Sequence, residues 1–239
     1  MKGALLYEGK AKKVYSMLGE EYQLILEYKD DATAFNGKKH RIFPGKGQLN
    51  NKISAHIFEY LHDQGIPSHF IQQLSATEQL VHQTHIIPIE VVVRNVATGS
   101  LTKRLGITDG RSFENPLVEL YYKKDELNDP LINDDHAKLL TGIQEKELSF
   151  LKEQALLVNE QLHALFKKMD ITLVDFKLEF GRLHDRTIVL SDEISPDTCR
   201  LWEKGTNRKM DKDVFRQDTG DLLEVYEAIW QRLKEDIHV

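Results

Sequence analysis

Leu173-Val174-Asp175-Phe176-Lys177-Leu178-Glu179-Phe180-Gly181 alternates apolar and charged residues with a period of two. Successive side chains of a strand point to opposite faces. Val174, Phe176, Leu178 and Phe180 are therefore expected on one face, and Asp175, Lys177 and Glu179 on the other. A second strand is expected over 187–194, joined to the first by 181–186. Antiparallel pairing through an even loop would carry Asp192 to the face of Lys177 and Glu179. An odd loop would carry Glu193 there instead, because a one-residue slip exchanges the faces. Either way two carboxylates converge beside a lysine. Like charges at that range repel unless a cation separates them, and an oxygen-only donor set suits Mg²⁺ completed by substrate phosphates. The pattern predicts a Mg-nucleotide site, with Glu179 and Asp192 as ligands.

Outward from this pair, the first thirty residues read as strands at 4–7 and 14–17 and through Tyr22, Leu24, Leu26 and Tyr28. The basic, glycine-rich stretch 36–47 precedes a helix carrying Leu49, Ile53, Ile57 and Leu61, which stops near Gly65 and Pro67. A strand follows over 86–96, then a turn at Thr98-Gly99-Ser100 into a short helix. Leu148, Leu151, Ala155, Val158, Leu162, Leu165 and Met169 mark the clearest helix, and Leu222, Tyr226, Ile229 and Leu233 the last. This order predicts an α+β fold rather than a doubly wound sheet. The division is placed near 82–88, giving an N-terminal lobe over residues 1–85 and a larger C-terminal region over residues 86–239.

Composition narrows the class. The 239 residues suffice for one to two domains, and 41% hydrophobic with 29% charged is an ordinary globular balance. A formal charge of −6 argues against coating nucleic acid or an anionic membrane. Cys199 is the one cysteine, so neither an internal disulfide nor a thiolate cage is expected. With no long apolar run or signal pattern, a cytoplasmic protein is expected.

A phosphate site needs positive charge. Gly9-Lys10-Ala11-Lys12-Lys13 lies between two strand-like pieces, where glycine admits the backbone to an oligophosphate and alternating lysines reach it. It is not a Walker A loop, and Gly45-Lys46-Gly47 lacks the third glycine of a dinucleotide fingerprint. Arg94 before the helix start at Gly99-Ser100 forms a second candidate, for a monophosphate. Arg200, past the loop Ser195-Pro196-Asp197-Thr198-Cys199, is the third basic point. The ten histidines show no metal-ligand spacing, Cys199 reads as a small buried group, and no Gly-x-Ser-x-Gly elbow is present.

Seven segments in order resemble the SAICAR synthetase family of purine biosynthesis. They are Asp31-Ala32-Thr33-Ala34-Phe35-Asn36-Gly37, Gly45-Lys46-Gly47-Gln48-Leu49-Asn50-Asn51, Val92-Val93-Arg94-Asn95, Thr98-Gly99-Ser100-Leu101, 174–181, Asp192-Glu193-Ile194-Ser195-Pro196-Asp197 and Asp211-Lys212-Asp213. The resemblance starts at Tyr7-Glu8-Gly9 and covers nearly the whole chain. It implies an ATP- and Mg²⁺-dependent ligase joining L-aspartate to the carboxylate of carboxyaminoimidazole ribonucleotide. It also implies an N-terminal antiparallel sheet similar to the nucleotide lobe of protein kinases, ATP in the cleft between the two regions, and a homodimer.

The resemblance further assigns residues. Gly9, Lys10, Ala11 and Lys12 would meet ATP phosphates, Lys123 the nucleotide, Glu179 and Asp192 magnesium. Arg94, Ser100 and Arg200 would hold the ribonucleotide 5′-phosphate. Asp175, Lys177 and Arg216 fall where the family lines its substrate pocket, with Lys177 and Asp175 as catalytic candidates. His82-Gln83 departs from the two lysines common near the adenine, so side-chain contacts there are not carried over. Two rivals need the same or fewer groups: a small-molecule kinase that does without aspartate, and a nucleotide- or RNA-binding regulator. The latter lacks its expected basic face with interleaved aromatics.

Overall fold

The computed structural model describes residues 1–35 and 37–236; Asn36 of the Asp31 motif lies outside them. The chain opens with an antiparallel meander of β1 (Lys2–Glu8), β2 (Lys12–Met17) and β3 (Glu20–Tyr28). The hairpin β4 (Asp31–Ala34) and β5 (Lys39–Ile42) follows, then α1 (Lys46–Asp63). β6 (Phe70–Gln73) and β7 (Glu78–His82) complete a five-stranded sheet in the order β1-β2-β3-β7-β6.

Two residues later the chain enters a second sheet. It contains β8 (His85–Val96), β9 (Ser112–Tyr122), β10 (Leu131–Ile132), β11 (Ile171–Arg182), β12 (Ile188–Ser191) and β13 (Cys199–Glu203). Its order is β10-β9-β8-β11-β12, with β13 also on β11, and its strands pair antiparallel. The helices are α2 (Ser100–Leu105), α3 (Asp134–Thr141), α4 (Glu145–Lys168), α5 (Asp213–Gln217) and α6 (Leu222–Asp236). Antiparallel sheets with helices set beside them make the fold α+β, as the element order predicts. Among the described residues no helix is long and apolar enough to cross a membrane.

One core joins α1, α4 and α6 to the apolar faces of β8 and β11. The stripe Leu148, Leu151, Ala155, Val158, Leu162 and Leu165 is wholly buried there. The Gln144 N–H donates to Glu147 at 3.0 Å and fixes where α4 begins. On β11, Phe176, Leu178 and Phe180 face this core, but Val174 does not share their cluster. A bulge between Leu173 and Asp175 against β13 turns Leu173 into the main core, while Val174 packs with Val96 and Trp202. The other face of β11 is not a solvated one either: Asp175 and Glu179 are buried. That face looks into a cavity lined also by the first sheet, so its charged residues need partners.

Candidate active site

Residues from both sheets line one cavity of about 1030 Å³. It receives Gly9, Lys10, Ala11, Lys12, Arg94, Ser100, Lys123, Asp175, Lys177, Glu179, Asp192, Arg200 and Arg216, so every site residue expected from the sequence meets in one place.

The β11–β12 connection decides how the carboxylates arrive. Arg182 pairs with Ile188, leaving the five-residue loop 183–187, and Glu179 pairs with Ser191. The loop is odd, so parity alone would bring Glu193 to the Glu179 side. The strand ends first, however. Asp192 adopts φ 64°, and this left-handed turn breaks the alternation. Both carboxylates then converge on the first sheet: Lys12 Nζ lies 2.6 Å from Asp192 Oδ1 and 2.8 Å from Glu193 Oε1. The turn is held from behind by His69, whose Nε2 is 3.0 Å from the Asp192 carbonyl. Burial draws the His69 imidazole down to about 4, so it is neutral at pH 7 and donates through Nε2.

Lys177 sits deeper. Its Nζ donates to Glu90 and to Glu179, each at 2.8 Å, and Lys123 donates to the other oxygen of Glu179. Burial opposes the charged form of Lys177, but Glu179, Glu90 and Asp192 outweigh it and hold the ammonium well above the ordinary lysine range. Burial likewise disfavours ionised Asp192, and Lys12, Lys177 and Lys123 reverse that and hold it below the usual carboxylate range. Alternating cations and anions thus form one chain of charge from Lys12 to Lys177.

A second cluster occupies the end near α2. Arg94 and Arg200 both donate to Asp175 Oδ2, at 2.7 and 2.9 Å. Arg200 also donates to Asp213 at 3.0 Å, and Arg216 to the same carboxylate at 2.6 Å. Arg94 reaches Glu119 at 2.6 Å, Tyr121 at 3.1 Å and Ser100 at 3.4 Å. Gly99 begins α2 with φ 63°, and a Cβ built there would stand 2.9 Å from the Arg200 guanidinium. Glycine is needed both for the backbone angle and for this close approach. The guanidiniums of Arg94 and Arg200 beside the Ser100 hydroxyl suit a tetrahedral dianion.

Some members were not singled out in the sequence. Glu90 could have been: Glu90, Val92 and Arg94 share a face of β8 and stand opposite Glu179, Lys177 and Asp175. Glu119 and Tyr121 carry the same period-two signal in β9, a strand the sequence reading did not identify. Asp213, and Lys46 and Asp197, which pair at 2.6 Å, stand in motifs of the resemblance that carry no assigned role, whereas His69 has no local signal. Cys199 is buried, and burial pushes its thiol well above the usual range, which suits a packing group and not a nucleophile.

A family model described as SAICAR synthetase matches residues 5–233. The chain belongs to the SAICAR synthetase family. It is 61% identical over 239 residues to the phosphoribosylaminoimidazole-succinocarboxamide synthase of Oceanobacillus iheyensis, covering 100% of both chains. Among solved structures, the synthase of that name from Ehrlichia chaffeensis matches with a TM-score of 0.94 at 45% identity, over 97% of this chain and 98% of that one. A SAICAR synthetase in complex with ADP matches with a TM-score of 0.92 at 52% identity, over 95% and 96%. The cavity's charge pattern therefore occurs in a SAICAR synthetase fold, and one structure of that fold holds ADP.

Proposed function

We propose that this chain catalyses the ATP-dependent joining of L-aspartate to the carboxylate of carboxyaminoimidazole ribonucleotide, by way of an acyl phosphate. The observation that carries this reading is the pair of cation groups in one cavity. Lys10, Lys12 and Lys123 can hold an oligophosphate at one end, and Arg94, Ser100 and Arg200 a 5′-phosphate at the other. Lys177 stands within the first group, on the strand that also carries Asp175 of the second. Val14, Leu24, Leu26 and Val81 give the first sheet's side an apolar wall that suits a purine base. Residues 1–85 would then act as a nucleotide lobe like that of protein kinases, and residues 86–239 as the substrate- and magnesium-binding region, with ATP in the cleft between them.

The chemistry asks for this arrangement. A carboxylate resists attack by an amine because oxide is a poor leaving group. Its oxygen attacks the γ-phosphorus, the bond to the bridging oxygen breaks, and ADP departs. The aspartate amine, deprotonated, then adds to the acyl carbon and phosphate leaves. Lys177, firmly charged, stabilises the transferring phosphoryl group. Asp175 accepts from two arginines through one oxygen, which suits orienting those arginines better than taking the amine proton. Glu179 and Asp192 fit a magnesium ion: both are hard oxygen donors, and Mg²⁺ is ordinarily held by one or two carboxylates plus phosphates and water. Among the described residues there is no group of three or more metal-ligating side chains, so phosphates and water would complete its shell. When bound, the ion neutralises phosphate oxygens as charge shifts toward ADP. A homodimer, implied by the family resemblance, and the cytoplasmic location expected from the sequence belong to the same proposal.

The test is ADP release with each substrate omitted in turn. Release that needs both ribonucleotide and aspartate supports the ligase. A stable phosphorylated product formed without aspartate would make the chain a small-molecule kinase.

A further inference from the structure

Most cations of the cavity are bound to carboxylates at short range. Lys10, Lys12 and Lys177 have ion pairs of 2.6–2.8 Å, and Arg94, Arg200 and Arg216 of 2.6–3.0 Å. Lys212 differs. Its side chain is 12% exposed, and among the described residues its ion pair is with Asp197 at 3.6 Å, beyond hydrogen-bond range. Asp197 already accepts from Lys46 at 2.6 Å and from the Tyr226 hydroxyl at 2.5 Å, one on each oxygen. A largely buried ammonium therefore shares its carboxylate with a wholly buried lysine in a better position. Burial, with Lys46 and Arg216 adding repulsion, draws Lys212 below the ordinary lysine range in spite of Asp197.

The location is central. The Lys212 N–H donates to the Pro196 carbonyl at 3.1 Å, and the Lys177 N–H donates to the Thr198 carbonyl at 2.9 Å. Both lysines thus hang from one short loop. Arg216 lies one helical turn on from Lys212 and also lines the cavity. An anion placed against an under-compensated cation relieves a desolvation cost instead of adding one.

The ligase reading above, on which this inference rests, matches both phosphate-bearing substrates to other residues. The carboxylates of aspartate are left without a partner. We propose that Lys212 binds a carboxylate of the incoming amino acid, with Arg216 beside it as second donor, and thereby selects aspartate over uncharged amines.

Lys212→Met and Lys212→Arg, assayed by ADP release, test this. Lys212→Met should raise KM for L-aspartate about tenfold or more, the loss of one charged hydrogen bond, with KM for ATP and for the ribonucleotide within about twofold of wild type. Preference for L-aspartate over L-asparagine should fall by a similar factor, and Lys212→Arg should recover most of both. An unchanged KM for aspartate, or a rise confined to the ribonucleotide, overturns the assignment. Should Lys212→Met not turn over, L-aspartate is titrated into it with the ribonucleotide and a non-hydrolysable ATP analogue; wild-type affinity again overturns the proposal, and a tenfold loss supports it. If Lys212→Met does not fold, Lys212→Gln carries the same comparison. A wild-type chain that turns ribonucleotide and ATP into a stable phosphorylated product without aspartate sinks the ligase reading first, and this inference with it.

Discussion

Lys12 and Asp192 meet at 2.6 Å, one from the second strand of the first sheet and the other from a left-handed turn just past β12. The contact spans the cavity, and Glu193 joins it from the next position. Burial alone would discharge Lys12; Asp192 and Glu193 hold it charged, well above the ordinary lysine range. The two sheets are thus joined by charge where a triphosphate is expected to lie.

Lys12→Met removes the cation and leaves two carboxylates facing each other. Removing one partner of a buried pair costs about 3 kcal/mol, so the free energy of unfolding measured in urea should fall by that amount. ATP affinity should fall with it. A variant as stable as wild type would show that the pair is fully hydrated.

At Asp192 backbone and charge can be separated. Asn tolerates φ 64° and Lys12 keeps Glu193 at 2.8 Å, so Asp192→Asn should melt within a few degrees of wild type while losing about a hundredfold or more in turnover. Asp192→Val loses the same charge and adds about 1–2 kcal/mol of backbone strain. Equal stability of the two variants would count against the turn.

Glu179→Gln keeps the shape but removes charge between Lys123 and Lys177. Turnover should be abolished and ribonucleotide binding largely kept, measured by ADP release and by calorimetric titration. Full activity would remove Glu179 from the metal site.

Gly99→Ala places a methyl 2.9 Å from the Arg200 guanidinium at φ 63°. The guanidinium must move, so KM for the ribonucleotide should rise about tenfold, with about 1–3 kcal/mol of stability lost to the backbone. KM for ATP should not change.

Burial, with Asp213 beside it, raises the Asp211 carboxyl to about 7. Its folded pKa then exceeds the unfolded one, so the folded state holds the extra proton between about pH 4 and 7. Stability from this group is complete below pH 4 and declines as pH rises to 7, by about 1.4 kcal/mol per unit. Asp211→Asn should be the less stable at pH 5 and close the gap by pH 8 in urea unfolding. A gap independent of pH would count against a raised Asp211.

Period-two and three-four patterns made β1, β2, β3, β8, β11 and β12 and the long helices α1, α4 and α6 legible, because each depends on neighbours a few residues away, whereas β6, β7, β9, β10 and β13 were not read. Val174 escaped this reading because the bulge beside it is set by β13, not by its own sequence. The hairpin β4–β5 escaped it too, its short strands hidden in a glycine- and lysine-rich stretch. Within the site, residue types and motifs identified the cavity's lining, while the partnerships of Glu90 on β8, Asp213 at the start of α5 and Lys46 at the start of α1 were set by the tertiary fold.

From its sequence alone the chain determined its α+β class, its family and the residues that line one cavity, since these rest on local periodicity and ordered motifs. Which carboxylate faces which cation was decided only in three dimensions. A loop of odd length and one residue at φ 64° send Asp192 and Glu193 together to Lys12. Strand parity is local, but the turn that breaks it is held by His69 from the other sheet's side of the fold.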